Sequence, residues 1–494
     1  MLALMIIAPK VAGYVAGSLW ILFILVPSLA GRSATHAGLR QDYQRAERFA
    51  NFARWLHPTD GWRQQPDLFR ALRMAQEGAF PEAVNLLARH QSNASPLGRV
   101  ATAQRCRIQG HWEELVEWAR TLPPATRSRD VSLMPLHLRA LGETRDLDGL
   151  VEAYKQAEQS LEKLGNPMIR ALCRLPVLAF CGRREHVERI LNGELAHLHP
   201  NARTFWLGTT DMAAGEENRG RTLLANISSS SDALIRQSIE LRLSGGVVLA
   251  EQALSEQSRQ AVARVENELD HEARYETRRN FGSWRPYATH TLLALNLAAF
   301  AFEISLGDTT RADTLLRAGA AYPDAVLRGD WWRVFTACFL HFGLIHLLMN
   351  MLALYILGRF VEYSLGLVRY LATYLVAGVG SALTFVLLVW IGWLPTAIEA
   401  GASGCIMGLV GATGAILVRG WRTERAPIAF KRLKTIGLIV VSQAVFDLLT
   451  PQVSFTVHTS GVVIGFLTAF VLYRPKEYGL AGATTTPSQF PTPR

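Results

Sequence analysis

The sequence predicts an all-α protein in which one N-terminal transmembrane helix and a soluble helical domain precede a bundle of six membrane-spanning helices. Three observations support this fold class. The 494 residues are 49% hydrophobic with a mean hydropathy of +0.13, and apolar residues gather at the N-terminus and in the last ~200 residues. Several apolar runs there are long enough to cross a bilayer as helices. The region between them is charged, and its apolar residues recur with helical spacing.

Residues 1–31 are predicted to form the N-terminal transmembrane anchor. Val11–Ala30 is mostly apolar and about twenty residues long, enough for one crossing. Only Lys10 precedes this run, whereas several arginines follow it: Arg32, Arg40, Arg45 and Arg48. The basic flank of a span usually faces the cytoplasm, so we expect the following domain to be cytoplasmic. A cleaved signal peptide is the alternative, although it would place the charge before the apolar run.

Residues 41–276 are predicted to form a soluble domain of paired helices. Five short turns, each followed by a helical pattern, recur at a spacing of about 32–37 residues, as in tetratricopeptide and related repeats. The turns begin at Gly78, Gly110, Arg145, Gly182 and Gly215. Stacked helix pairs present an extended surface, so we expect this domain to bind a protein partner, a substrate tail or a second copy. Because the full tetratricopeptide signature is absent, an ordinary helical bundle is the alternative.

Residues 288–475 contain six apolar runs, each predicted to be a transmembrane helix. The runs are His290–Leu306, Leu344–Leu357, Val368–Trp393, Gly401–Val418, Leu433–Leu449 and Phe455–Tyr473. Basic residues crowd the segment from Arg419 to Lys434 after the fourth run, which predicts a cytoplasmic loop there. This orientation agrees with the one predicted from the N-terminal anchor. Residues 476–494 are rich in Thr and Pro and are predicted to be disordered.

The net charge of +10 is better explained by membrane orientation than by nucleic-acid binding, because basic residues cluster between apolar runs. The five cysteines are scattered and form no C-x-x-C pair, so neither a disulfide framework nor a zinc ribbon is expected.

Ser403 and His458 are the polar side chains that first indicate a catalytic site. Each lies in an apolar run, where polar groups are costly and are usually kept for function. A serine next to a neutral imidazole can lose its proton and act as a nucleophile. Gly461 and Gly465 follow His458 on one helical face and would let its helix approach the Gly401–Val418 run closely. The alternative for Ser403 is simple helix packing, because a serine can bond to its own helix backbone.

A second polar cluster contains His341, His346 and Asn350. His346 and Asn350 are four residues apart and therefore share a helical face. Both can donate hydrogen bonds, and such donors stabilise the oxyanion of acyl transfer by roughly 3 kcal/mol each. A metal site formed by His341, His346 and His458 is the alternative, but no H-E-x-x-H motif and no nearby carboxylate are evident. We therefore expect no metal and no other cofactor.

The last ~205 residues resemble the rhomboid family of intramembrane serine proteases in the order and spacing of their motifs. The matching stretches are Trp332-Arg333, His341 with His346 and Asn350, Leu357 to Glu362, Gly401-Ala402-Ser403-Gly404, and His458 with Gly461 and Gly465. The resemblance implies a six-helix core with a water-filled cavity that opens to the outside.

The resemblance also implies residue roles. Ser403 would be the nucleophile and His458 the general base of a dyad without an aspartate. His346, Asn350 and the backbone N–H of Ser403 would form the oxyanion hole. The remaining matched residues would be structural: Gly401, Gly404, Gly461, Gly465, Trp332, Arg333, Glu362 and His341. Many relatives carry an aromatic residue where this chain has Met407, so we expect a working site with a less rigid imidazole.

We therefore predict a serine endopeptidase that cleaves transmembrane or membrane-adjacent peptide bonds near the outer face of a bacterial plasma membrane. Its partners would be membrane-protein substrates and the lipid bilayer, with no nucleic acid. The alternative is a catalytically inactive rhomboid-like scaffold that binds membrane clients without cutting them, although such proteins usually lack the dyad. A soluble repeat adaptor with a membrane tether would not explain the polar residues in the C-terminal runs.

Overall fold

The computed structural model describes residues 21–56, 63–245, 248–275, 285–449 and 454–474. These ranges are helical and contain no β-strand, which confirms the predicted all-α class. The first part of the predicted anchor (1–20) and the predicted disordered tail (476–494) lie outside the described residues. The chain divides into two compact units, Met1–Leu269 and Asp270–Arg494.

The first unit is built from short helices joined by tight turns. After a π-helical turn at Ile21–Leu25, its helices are α1 Val26–Leu39, α2 Tyr43–Leu56, α3 Gln65–Gln76, α4 Phe80–Ala88, α5 Pro96–Gln109, α6 Trp112–Thr121, α7 Pro124–Arg129, α8 Met134–Glu143, α9 Leu147–Leu164, α10 Pro167–Phe180, α11 Arg184–Asn192, α12 Pro200–Ala213, α13 Glu217–Ala225, α14 Ala233–Ser244 and α15 Ala250–Ala253. Helix α16, Glu256–Tyr275, contains the division between the units.

A helix begins just after each of the five turns that the sequence analysis identified. Each turn contains a residue with positive φ, and these residues are Gly78, Gly110, Arg145, Gly182 and Gly215. Four of the five are glycines, which adopt this left-handed conformation without a steric penalty. The helices after the last four turns share one large core, in which Leu115 and Leu150 are fully buried, whereas α4 packs in a separate cluster through Ala83 and Leu87. The assignment of these helix pairs as a tetratricopeptide-like repeat stays a prediction.

The second unit contains the six long helices that the sequence predicts. They are α17 Tyr287–Leu306, α21 Gly343–Leu365, α22 Leu367–Trp390, α23 Ser403–Glu424, α24 Pro427–Leu449 and α25 Phe455–Leu472. Between α17 and α21 lie three short helices and a 3₁₀ turn: α18 Ala312–Ala318, α19 Pro323–Leu327, α20 Arg333–Thr336 and Ala337–Phe339. Five of the long helices are apolar enough to cross a membrane; α24 is long enough but carries more charge.

One predicted helix boundary differs from the structure for a physical reason. Helix α21 continues to Leu365 rather than ending at Leu357, although it then includes the charged Glu362. The Glu362 carboxylate is buried and accepts the backbone N–H groups of Ala288 and Thr289 at 2.9 and 2.8 Å. These N–H groups belong to the first turn of α17, which has no partners for them within the helix. The charge is therefore satisfied inside the bundle, and the helix can continue past it.

Candidate active site

Helices α23 and α25 approach each other through glycines, which brings Ser403 and His458 to neighbouring positions. A Cβ atom added to Gly461 would lie 2.6 Å from the carbonyl oxygen of Gly404, and one on Gly465 would collide with Gly408. Only glycine permits backbones to pass this closely. A Cβ atom on Gly404 would lie 3.0 Å from Cγ1 of Val457. Gly404 and Val457 are the direct chain neighbours of Ser403 and His458, so both polar residues border this contact.

The loop before Ser403 is fixed to the segment between α17 and α21. The backbone N–H of Gly401 donates to the carbonyl of Ala337 at 2.9 Å. Two residues earlier, Glu399 and Ala321 exchange backbone hydrogen bonds of 2.8 and 3.0 Å. A Cβ atom on Gly401 would lie 3.0 Å from Cε1 of His346 and 3.4 Å from Oγ of Ser403. His346 and the Ser403 hydroxyl therefore face the same small space.

His346 and Asn350 both have hydrogens free to donate into this region. The backbone N–H of Phe342 donates to Nδ1 of His346 at 3.2 Å. In a neutral imidazole the other nitrogen then carries the proton, so Nε2 of His346 is a donor. Asn350 is buried, and its Nδ2 amide has no hydrogen-bond partner within the described residues. A buried donor of this kind is costly unless a ligand satisfies it.

His458 contacts a buried carboxylate that the sequence analysis did not anticipate. Its Nδ1 lies 2.8 Å from Oδ2 of Asp447 on α24, and both side chains are buried. The expectation that no carboxylate lies near the histidines is therefore wrong for this chain, whereas the Ser403–His458 dyad stays a prediction. Within the described ranges, no group of three or more His, Cys, Asp or Glu side chains is arranged so that it could hold a metal ion.

Ser403 and His458 do not hydrogen-bond to each other directly within the described part of the chain. Nucleophile–base contacts of this kind are often long without substrate and tighten in the reacting complex. The engaged Nδ1 of His458 leaves Nε2 as the nitrogen available to the serine. Met407 is buried on α23, one turn after Ser403.

The other residues that match the rhomboid motifs, among them Arg333, Trp332 and His341, lie around Ser403 and His458 rather than between them. Arg333 donates to the carbonyl of Leu316 at 2.9 Å and to Asp330 at 2.9 Å, and its guanidinium lies over the ring of Trp332. His341 packs edge-on against His346, with ring centroids 5.4 Å apart. Its backbone N–H donates to both carboxylate oxygens of Glu303, at 3.0 and 3.1 Å.

Three acidic residues near the site were missed by the sequence analysis. Asp447 and Glu303 are carboxylates within apolar helices, a placement that itself indicates function or an internal partner. Glu399 lies in the loop before Ser403, and burial raises its pKa from an ordinary value of 4.5 to about 7. Its carboxylate accepts a hydrogen bond from Ser454, the N-cap residue of α25. The loop that leads to Ser403 is thereby joined to the helix that carries His458.

Comparisons with known proteins agree with this arrangement of motifs. The Rhomboid domain description matches residues 328–475. Rhomboid protease GluP of Bacillus subtilis (strain 168) is 32% identical over 201 residues, which cover 40% of this chain and 37% of that protein. The mitochondrial RHOMBOID-like protein 6 of Arabidopsis thaliana is 32% identical over 169 residues, 34% of this chain and 52% of that protein.

The chain thus spans about a third to a half of these two relatives. A third relative, Rhomboid protease AarA of Providencia stuartii, is 30% identical over 196 residues, 36% of this chain and 70% of that protein. The apolar helices and these relatives identify an integral multi-pass membrane protein. Because the similarity extends over most of AarA, and the Rhomboid domain match includes the segments that carry Ser403 and His458, the chain belongs to the rhomboid family.

Proposed function

We propose that this protein is an intramembrane serine endopeptidase that cleaves peptide bonds of membrane proteins. One observation carries the proposal: the Ser403 hydroxyl and the His346 imidazole border the space at Gly401, next to the glycine contact that brings α25 and His458 alongside α23. The relatives named as rhomboid proteases support the same reaction class. The alternative, an inactive membrane scaffold, would not require free donors on His346 and Asn350.

In the proposed reaction, Nε2 of His458 accepts the Ser403 proton while Oγ attacks the scissile carbonyl carbon. The carbonyl oxygen becomes negative and is bound by Nε2–H of His346, the Nδ2 amide of Asn350 and the backbone N–H of Ser403. The imidazolium then protonates the leaving amine, which gives an acyl-enzyme on Ser403. Water, deprotonated by His458, hydrolyses this ester and restores the serine.

The deciding experiment combines covalent labelling with substrate cleavage. A serine-directed fluorophosphonate should label the wild type and not Ser403→Ala, and both Ser403→Ala and His458→Ala should abolish cleavage while the protein stays folded. Because each half of the pair is useless alone, the double variant should be no worse than either single one. Residual cleavage within about tenfold of wild type in either variant would contradict the assignment of Ser403 and His458 as the reacting pair, whereas a wild type that neither cleaves nor takes the label would favour the scaffold alternative.

We also propose that the first unit is cytoplasmic and that the reacting groups lie toward the outer face, on the basis of the basic flanks described above. All five native cysteines are buried and would resist labelling on either side. A cysteine introduced at the exposed Glu82 should therefore be used. It should react with an impermeant thiol reagent only after the cells are opened, and labelling of intact cells would reverse the proposed orientation.

A further inference from the structure

We propose that Asp447 is a positioning residue for His458, so that the reacting unit is Ser403–His458–Asp447 rather than a two-residue dyad. This inference rests on the proposed protease function. The inference goes beyond that function because it assigns to Asp447, on a third helix, the role of orienting the general base His458.

Both oxygens of the Asp447 carboxylate are engaged. Oδ2 lies 2.8 Å from Nδ1 of His458, and Oδ1 accepts a hydrogen bond of 2.7 Å from the Nε2 amide of Gln443, one turn earlier on α24. Asp447 is only 4% exposed. A buried carboxylate in an apolar helix is costly unless its oxygens are satisfied by such partners. Gln443 occupies one oxygen and orients the other toward His458.

The contact determines which nitrogen of His458 can act as a base. An ionised carboxylate only accepts hydrogen bonds, so Nδ1 must carry the proton that joins the two side chains. Nε2 then holds the free lone pair, which is what proton abstraction from Ser403 requires. When Nε2 takes that proton, the carboxylate also stabilises the imidazolium that forms. The same contact therefore orients the ring, selects its tautomer and lowers the energy of its charged state.

Charged and titratable groups reach His458 from other helices too. His346 on α21 is close enough to interact with it electrostatically. From the loop before α23, Glu399 bonds to Ser454 at the start of α25. Within this set, Asp447 alone hydrogen-bonds to the His458 ring.

The first test compares Asp447→Asn with wild type in steady-state cleavage of one membrane substrate. The amide keeps the size of the side chain but loses the charge and permits the wrong tautomer, so we expect kcat to fall by ~10²-fold or more while KM changes by less than about threefold. Asp447→Glu, which keeps the charge, should recover part of the activity.

Ser460→Ala is the matched control. Ser460 lies on the same helix as His458, but its hydroxyl bonds only to backbone carbonyls of its own helix, so its removal should leave kcat and KM unchanged. If Ser403→Ala is inactive while Asp447→Asn keeps kcat within threefold of wild type, the positioning role is wrong and the protease function stands. If Ser403→Ala is itself active, the assignment of Ser403 as nucleophile fails instead, and a wild type that does not cleave would refute the proposed protease function.

A second measurement does not depend on how the Asp447 variants fold. In full-length wild-type protein with ¹⁵N-labelled histidines, the His458 signals can be assigned by their absence in His458→Ala. At neutral pH they should report a protonated Nδ1 and an unprotonated Nε2. A neutral ring with its proton on Nε2 would overturn the proposal.

Discussion

Replacing Gly461 by alanine should slow cleavage by ~10- to 100-fold, because it separates the two helices that carry the reacting groups. The new Cβ atom would lie 2.6 Å from the Gly404 carbonyl oxygen, whereas ordinary contact begins at 3.4 Å. The backbones of α23 and α25 must therefore move apart by about 0.8 Å, the difference between 3.4 and 2.6 Å. A displacement of reacting groups near 1 Å lowers the rate of catalysis by on the order of 10²-fold. Such overpacking also destabilises by ~1–3 kcal/mol.

The chain offers a matched control for this variant. Gly437 lies in the middle of α24, and a Cβ atom added there would have no atom within 4 Å. Gly437→Ala should therefore leave cleavage unchanged and slightly raise stability, by ~0.5–1 kcal/mol. Both variants are assayed for kcat and for thermal unfolding in the same detergent. If Gly461→Ala cleaves as fast as Gly437→Ala, the close helix contact does not set the catalytic geometry.

Three further predictions address other parts of the molecule. Asn350→Ala should lower kcat by ~100-fold, less than loss of the nucleophile, because it removes one of several oxyanion donors; an unfolded variant would indicate a structural role. Because the pKa of Glu399 is raised to about 7, the stability that it contributes is complete below pH 4.5 and is lost as the pH rises through 7. Thermal unfolding of Glu399→Gln should lack this decline, and parallel pH curves for the two proteins would contradict the reasoning. A chain that begins near Ser283 should still cleave a generic membrane substrate but lose its preference for one with a cytoplasmic tail; equal loss on both would mean that the first unit supports folding.

Much of the bundle follows from local sequence properties. Apolar runs locate its helices, and the glycines of α23 and α25 indicate which two helices lie closest, because a missing side chain is visible in the sequence. The turns of the first unit are equally local, since Gly78 and Gly110 mark left-handed positions. These features depend on residues within one or two turns of each other, which is why they are predictable.

The contact between Asp447 and His458 could not be predicted in the same way. It depends on how far α24 extends and on where α25 begins, and neither is encoded in the spacing of the two residues. An isolated aspartate in an apolar run indicates that a partner exists but does not identify it. The proton positions on His346 and His458 are likewise set by neighbours that only the three-dimensional structure provides, namely Phe342 and Asp447.

The attachment of Gly401 to Ala337 affects how inactivating mutations should be interpreted. The segment that receives Gly401 also contains Arg333, which holds Leu316 and Asp330 in place. A substitution at Arg333 would therefore move the loop before Ser403 through the backbone. A genetic screen for inactive variants should recover such positions as readily as Ser403 or His458. The number of inactivating sites in this protein will exceed the number of residues that take part in the chemistry, and rescue experiments rather than loss of activity must separate the two groups.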